Sequence, residues 1–147
     1  MASSFALRLR EEREKQQWSK RFLATAIEVN ENTYHHYEDG DCFPSFPKLL
    51  ALANCLNVSL DYLCGRSHIR QIFSLPPEAN IHALLAENLK QLRQQTGLTQ
   101  KEIAEELHMH EHSYQAYEIQ TRFPTYQTFL KLANYYHVPL DRLIKIH

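Results

Sequence analysis

The side chains best equipped for chemistry in this chain are nine histidines, three cysteines and seventeen carboxylates, and their spacing decides what they can do. His108, His110 and His112 form a His-x-His-x-His run. Ligands that share a metal on one helix face sit three or four residues apart, so only His108 and His112 have a suitable interval, and only if the helix is continuous. The run is predicted to fall in a turn, and no nearby Cys or paired carboxylate completes a ligand set. It reads as polar turn and surface residues, so no metal site and no cofactor are expected. If His110 and His112 face an anion, protonation near their ordinary pKa of about 6.5 would tighten that contact as pH falls.

Cys42, Cys55 and Cys64 are odd in number and not closely paired. That argues against a disulfide framework and fits a reducing compartment. Cys55 and Cys64 lie on apolar helix positions and read as buried small hydrophobes, whereas Cys42 lies in a loop and is expected to be the most reactive thiol. No Ser/His/Asp or Cys/His arrangement, phosphate loop or catalytic carboxylate pair is present, so the chain is not expected to be an enzyme. The run from Arg10 to Lys15 reads as a solvated helix face with compensating pairs such as Glu11 with Lys15.

Those groups are positioned by a duplicated framework. Shifted by 80 positions, the segment Ala24 to Pro44 falls on Ala104 to Pro124 without a gap: Glu31 on Glu111, Tyr34 on Tyr114, Tyr37-Glu38 on Tyr117-Glu118, Phe43-Pro44 on Phe123-Pro124. The register extends upstream through Leu9/Leu89 and Arg13/Arg93, and downstream through Leu52-Ala53-Asn54/Leu132-Ala133-Asn134 and Leu60-Asp61/Leu140-Asp141. A match of that length is an internal repeat. It divides the 147 residues into a first domain over 1–65, a linker over 66–77 and a second domain over 78–147. Units of about 65 residues bury only about 60% of their unfolded surface, so each is expected to be marginally stable. No apolar run reaches the roughly 18 residues of a membrane span, and the first residues do not form a secretory signal. A cytoplasmic protein without a membrane partner is expected.

Within each unit the pattern is helical. Ser3 and Ser4 are placed to cap a first helix, Ser19 a second and Asn30 a third, which runs from about Glu31 to Glu38 and stops at Gly40. Ser45 opens a fourth helix through Leu49, Leu50, Leu52, Ala53 and Leu56, and Ser59 a last short one. In the second unit the linker's Pro76-Pro77 favours a helix start at or just after Pro77. Gly97 ends that helix, Thr99 and Glu102 form a Thr-x-x-Glu capping box, Thr125 repeats Ser45, and Pro139 replaces Ser59. Five short helices per unit and no alternating strand pattern predict an all-α protein.

Leu98-Thr99-Gln100-Lys101-Glu102-Ile103-Ala104, the aromatic-Glu pair Tyr117-Glu118, Pro124 and the closing Leu132-Ala133…Val138…Leu140-Asp141…Leu143 together resemble the Cro/CI-type, or XRE-type, helix-turn-helix family. Both units share the resemblance, which implies two tandem five-helix lambda-repressor-like helix-turn-helix domains. It implies double-stranded DNA as partner, with the N-terminal end of each third helix in the major groove. It places Asn30, Glu31, Asn32, Thr33 and His36 in unit one, and His110, Glu111, His112, Ser113 and Ala116 in unit two, toward base edges. Lys20, Gln100, Lys101 and Arg122 are assigned to the DNA backbone. Arg13 with Glu38, and Arg93 with Glu118, match ion pairs that tie the first helix to the end of the third.

Unit one departs from the pattern: Ser19-Lys20 stands for Thr-Gln, Glu12 stands where unit two has the core residue Leu92, and Glu28, Glu31, Asp39 and Asp41 surround the expected DNA face. Glu28 and His108 occupy a turn position where the family often has glycine. The net charge of −1 supplies no general excess of base for a polyanion. Two readings follow. One is a two-headed DNA-binding transcriptional regulator in which unit two is the better reader, either alone or as a homodimer. The other is an interaction module, such as an antirepressor or assembly factor, that binds a partner regulator.

Overall fold

The computed structural model describes residues 4–70 and 81–144. The chain divides into two compact units, Met1–Phe73 and Ser74–His147. Among the described residues, all regular structure is helical. Unit one contains α1 (Ser4–Lys15), α2 (Lys20–Ala26), α3 (Glu31–Asp39), α4 (Phe46–Leu56) and α5 (Leu60–Leu63). Unit two contains α6 (Ile81–Thr96), α7 (Gln100–Glu106), α8 (Glu111–Glu118), α9 (Tyr126–Tyr136) and a closing 3-10 helix, Leu140–Ile144.

Side-chain caps start five of these ten elements. Ser19 Oγ accepts from the Phe22 amide at 3.0 Å, Asn30 Oδ1 from Thr33 at 2.7 Å and Ser59 Oγ from Tyr62 at 3.0 Å. Thr99 and Glu102 close the reciprocal capping box, and Thr125 caps α9. Ser45 stands at the N-cap of α4 without a side-chain bond, and Pro47 pre-sets the first turn there. Ser4 lies inside α1 rather than capping it, while Ser3 and the expected start near Pro77 lie outside the described residues. Pro139 cannot cap with a side chain as Ser59 does, and the last element tightens accordingly. The Arg142 amide bonds the Pro139 carbonyl three residues back, whereas its mate in unit one, the Tyr62 amide, donates to Ser59 Oγ.

The periodic apolar positions converge into one core per unit. Leu23, Tyr34, Leu49, Leu52 and Leu63 are fully buried in unit one, and their repeat mates Ile103, Tyr114, Phe129, Leu132 and Leu143 in unit two. The first helix of each unit packs on the third and on the closing turn, and the second on the third. Buried Ala24 and Ala104 leave room for that second contact.

One expectation is overturned in α1. The Arg10–Lys15 run is not uniformly solvated, because Glu12 is fully buried. Lys15 Nζ donates to Glu12 Oε1 at 3.2 Å, so the lysine read as a partner of Glu11 serves the buried carboxylate. Burial alone would raise the Glu12 carboxyl, but hydrogen bonds from Arg70, Tyr62 and Lys15 outweigh it and hold the group below the usual range.

Candidate nucleic-acid interface

Each unit presents a two-helix corner, α2 with α3 and α7 with α8. The turn between them passes through a left-handed residue that is not glycine, Glu28 at φ 60° and His108 at φ 55°. The left-handed turn anticipated from the family pattern therefore forms with a Cβ in place. A lysine from the fourth helix braces it in each unit. Lys48 Nζ donates to the Ile27 carbonyl at 2.8 Å, and Lys131 Nζ donates to the Leu107 carbonyl. These are repeat-equivalent carbonyls at the C-terminal ends of α2 and α7, where positive charge is favourable.

The third helix is fixed from behind by an ion pair. Arg13 Nε and Nη2 donate to Glu38 at 2.7 and 3.1 Å, and Arg93 makes the same fork to Glu118 at 2.8 and 3.1 Å. The same arginines donate to the Trp18 and Leu98 carbonyls, which joins the turn after the first helix to the pair. Burial pushes Glu38 and Glu118 up, yet the arginine bonds hold both below the usual carboxylate range. Gln100 Nε2 also donates to Glu118, at 3.1 Å, whereas Lys20 lies 3.3 Å from His35 Nδ1 and faces α3. Gln100 is thus part of the support of α8.

Tyr34 and Tyr114 point into the core. Tyr114 Oη lies 3.4 Å from Tyr136 Oη, while Tyr34 Oη, with Leu56 in the place of Tyr136, makes no hydrogen bond of good geometry and has the Glu38 carboxylate and Arg13 as the polar neighbours acting on it. Burial raises both phenols, with Glu38 adding to the effect at Tyr34 and Tyr136 at Tyr114.

On the opposite face of α3, Asn30, Glu31, Asn32 and His36 are exposed and Thr33 is half-buried. On α8, His110, Glu111 and His112 are exposed, with Ser113 and Ala116 half-buried; Lys101 and Arg122 are exposed nearby in the sequence. Part of the α3 face is engaged internally. Asn30 caps the helix, His35 lies 3.7 Å from Glu31, and His36 Nδ1 lies 3.1 Å from Asp41. His36, Asp39 and Asp41 bring exposed ligand atoms within 4.8 Å of one another, a grouping without a counterpart in unit two, where Ala116, Ile119 and Thr121 stand. The His-x-His-x-His run is split as the spacing required: His108 is the turn, His110 the N-cap of α8, and only His112 is helical.

The thiols differ from expectation. Cys64 is buried but Cys55 is only half-buried, and burial together with Asp41 pushes the Cys42 thiol up, so Cys42 is not the activated group that its loop position suggested. Residues that the sequence did not flag include Lys48, Lys131 and Arg70. Each acts through a partner far along the chain, which periodicity cannot show.

Residues 4–63 match the family model described as a helix-turn-helix domain, and residues 86–145 match a second model of the same description. Among proteins of Bacillus subtilis (strain 168), the HTH-type transcriptional regulator YqaE is 40% identical over 62 residues, 42% of this chain and 53% of that protein. The HTH-type transcriptional regulator ImmR is 43% identical over 60 residues, 41% of this chain and 47% of its own length. AnsR, also an HTH-type transcriptional regulator, is 36% identical over 64 residues, 44% and 55% of the two chains. The match spans about half the length of these relatives. No solved structure matches at a significant level. With a matching model on each repeat and the XRE-type motif in both, the chain belongs to the Cro/CI-type helix-turn-helix family and carries two tandem copies of its domain.

Proposed function

We propose that the protein is a sequence-specific DNA-binding transcriptional regulator, non-enzymatic and cytoplasmic, with α3 and α8 as recognition helices that enter the major groove of double-stranded DNA. The observation that carries this reading is the shared division of labour on those helices. Tyr34, Tyr37 and Glu38, and their mates Tyr114, Tyr117 and Glu118, are spent on the core side, while the outward positions carry Asn, Thr, Ser, His and Glu groups able to read base edges. Three relatives named as transcriptional regulators support it.

Unit two is the stronger reader in this proposal, because Arg122 supplies charge for phosphates where unit one has Cys42, and its α8 face is less acidic than that of α3. Paired family heads lie about one DNA turn, roughly 34 Å, apart. One chain carrying two different heads suits an asymmetric target. The deciding measurement is a fluorescence titration against random and genomic DNA at two salt concentrations. Lys101→Ala with Arg122→Ala is expected to weaken binding across sequences and to reduce the salt slope by about 1 per lost phosphate contact. Gln100 is a poor probe, since its removal also disturbs Glu118.

A second reading has its own observation. Exposed Glu28, Glu31, Asp39 and Asp41 surround α3, a poor surface for phosphate, and fit an interaction module that binds a partner regulator. Under that reading the Lys101/Arg122 variant leaves partner binding intact and no DNA is bound at low salt by the parent protein.

A further inference from the structure

We propose that residues 66–70 form a latch on unit one, anchored by Glu12, and that Glu12 and Arg70 are positioning residues that set how much chain separates the two heads. The second half of this statement rests on the two-headed DNA reading; the first does not.

Four residues of the segment are held, beginning with its first and ending with its last. The Arg66 amide donates to the Asp61 carbonyl at 2.8 Å, and the Ser67 carbonyl accepts from Arg8 Nη1. The Ile69 carbonyl accepts from Ser59 Oγ at 3.2 Å and the Arg70 carbonyl from the Ser59 amide at 3.3 Å. Arg70 then forks onto Glu12, Nη2 to Oε2 at 2.6 Å and Nε to Oε1 at 3.0 Å. The Glu12 side chain is fully buried and also accepts from Tyr62 Oη at 3.0 Å. Arg8 closes the arrangement from the other side, with its guanidinium 4.4 Å from the Tyr62 ring centroid. A buried carboxylate that loses its forked arginine is left with an uncompensated charge, so the domain itself favours the closed latch.

The repeat supplies the control. In unit two the residues equivalent to Arg8, Glu12, Ser59 and Tyr62 are Asn88, Leu92, Pro139 and Arg142, so all four anchoring positions differ. Leu92 is buried as an apolar residue, and Asn88 turns inward to donate to the Leu143 carbonyl at 2.9 Å. The anchor set therefore belongs to the unit from which the chain continues into a second head, and it is not needed to build the fold.

With the latch closed, eleven residue steps connect Arg70 to Ile81, a contour of at most about 40 Å; opening it adds five residues, about 17 Å. A closed latch restricts the separations that the two heads can span.

The test uses the full chain with Arg8→Asn and Glu12→Leu, which installs the residues that unit two already accommodates. The variant is expected to melt cooperatively and to be cut by trypsin after Arg66 about tenfold faster than the parent. Arg70→Lys should retain more protection than Arg70→Ala. Equal cleavage of the parent and the double variant would overturn the latch. DNA selected from a random pool should show one preferred half-site separation with the parent protein and a broader range with the variant. Faster cleavage with an unchanged separation would overturn the positioning role. If the parent enriches no DNA, the two-headed reading fails, and cleavage alone decides the latch.

Discussion

The two buried tyrosines show how a single hydroxyl can be tolerated in one copy and used in the other. Tyr34→Phe removes a hydroxyl that makes no hydrogen bond of good geometry and is expected to change stability by less than about 0.5 kcal/mol, whereas Tyr114→Phe removes the partner of Tyr136 and should cost about 1 kcal/mol. Urea denaturation of the two variants separates these outcomes. The arginine forks are less forgiving. Arg13→Ala leaves Glu38 buried beside Arg10, whose Nε is 3.7 Å away and half-exposed, so a loss of about 3 kcal/mol is expected in the same measurement. Repeat register and a family resemblance were enough to pair Arg13 with Glu38 and Arg93 with Glu118. They could not pair Glu12 with Arg70, because Arg70 has no repeat mate in either unit and stands where composition suggests a connection.

At the level of elements, five helix starts were legible because a capping side chain lies within three residues of the amide it serves. Helix ends were less so. Left-handed residues recur at repeat-equivalent places, Gln17 and Gly97, Glu28 and His108, Gly40 and Gln120, Asn57 and His137. Only two of these eight are glycine, so the glycines alone reveal a fraction of the turns. A Cβ in the left-handed region costs about 1 kcal/mol, partly offset by the unfolded-state freedom of glycine. His108→Gly and Gln120→Gly are therefore expected to raise the midpoint of unit-two unfolding slightly, and a lowered midpoint would mean that the side chains make compensating contacts. The 3-10 form of the last element follows from Pro139, whose effect on cap geometry was not anticipated.

For the whole molecule, acid should act unevenly. Among the described residues, unit one holds two buried carboxylates below the ordinary range: Glu12, facing Arg70, Tyr62 and Lys15, and Glu38, facing Arg13, Arg10, Lys20 and Tyr34. Unit two holds Glu118 in this way, facing Arg93, Gln100, Tyr114 and Tyr136. A depressed folded-state pKa contributes stability that is present above the unfolded value, about 4.3 for glutamate, and is lost as pH falls through the folded value. Unit one should thus weaken more steeply below about pH 4.3. Trp18 is the single tryptophan and lies in unit one, so its fluorescence transition should move ahead of the helical circular dichroism signal as acid is added. The paired lysine braces carry a different consequence. Lys48 and Lys131 are not repeat mates, since the partner of Lys131 is Ala51 and that of Lys48 is Thr128, yet they reach equivalent carbonyls. Each copy thus places a positive charge on that spot from a different position of its fourth helix, so exchanging the residues at positions 48 and 128 alone is expected to strip one corner of its brace and leave two lysines at the other.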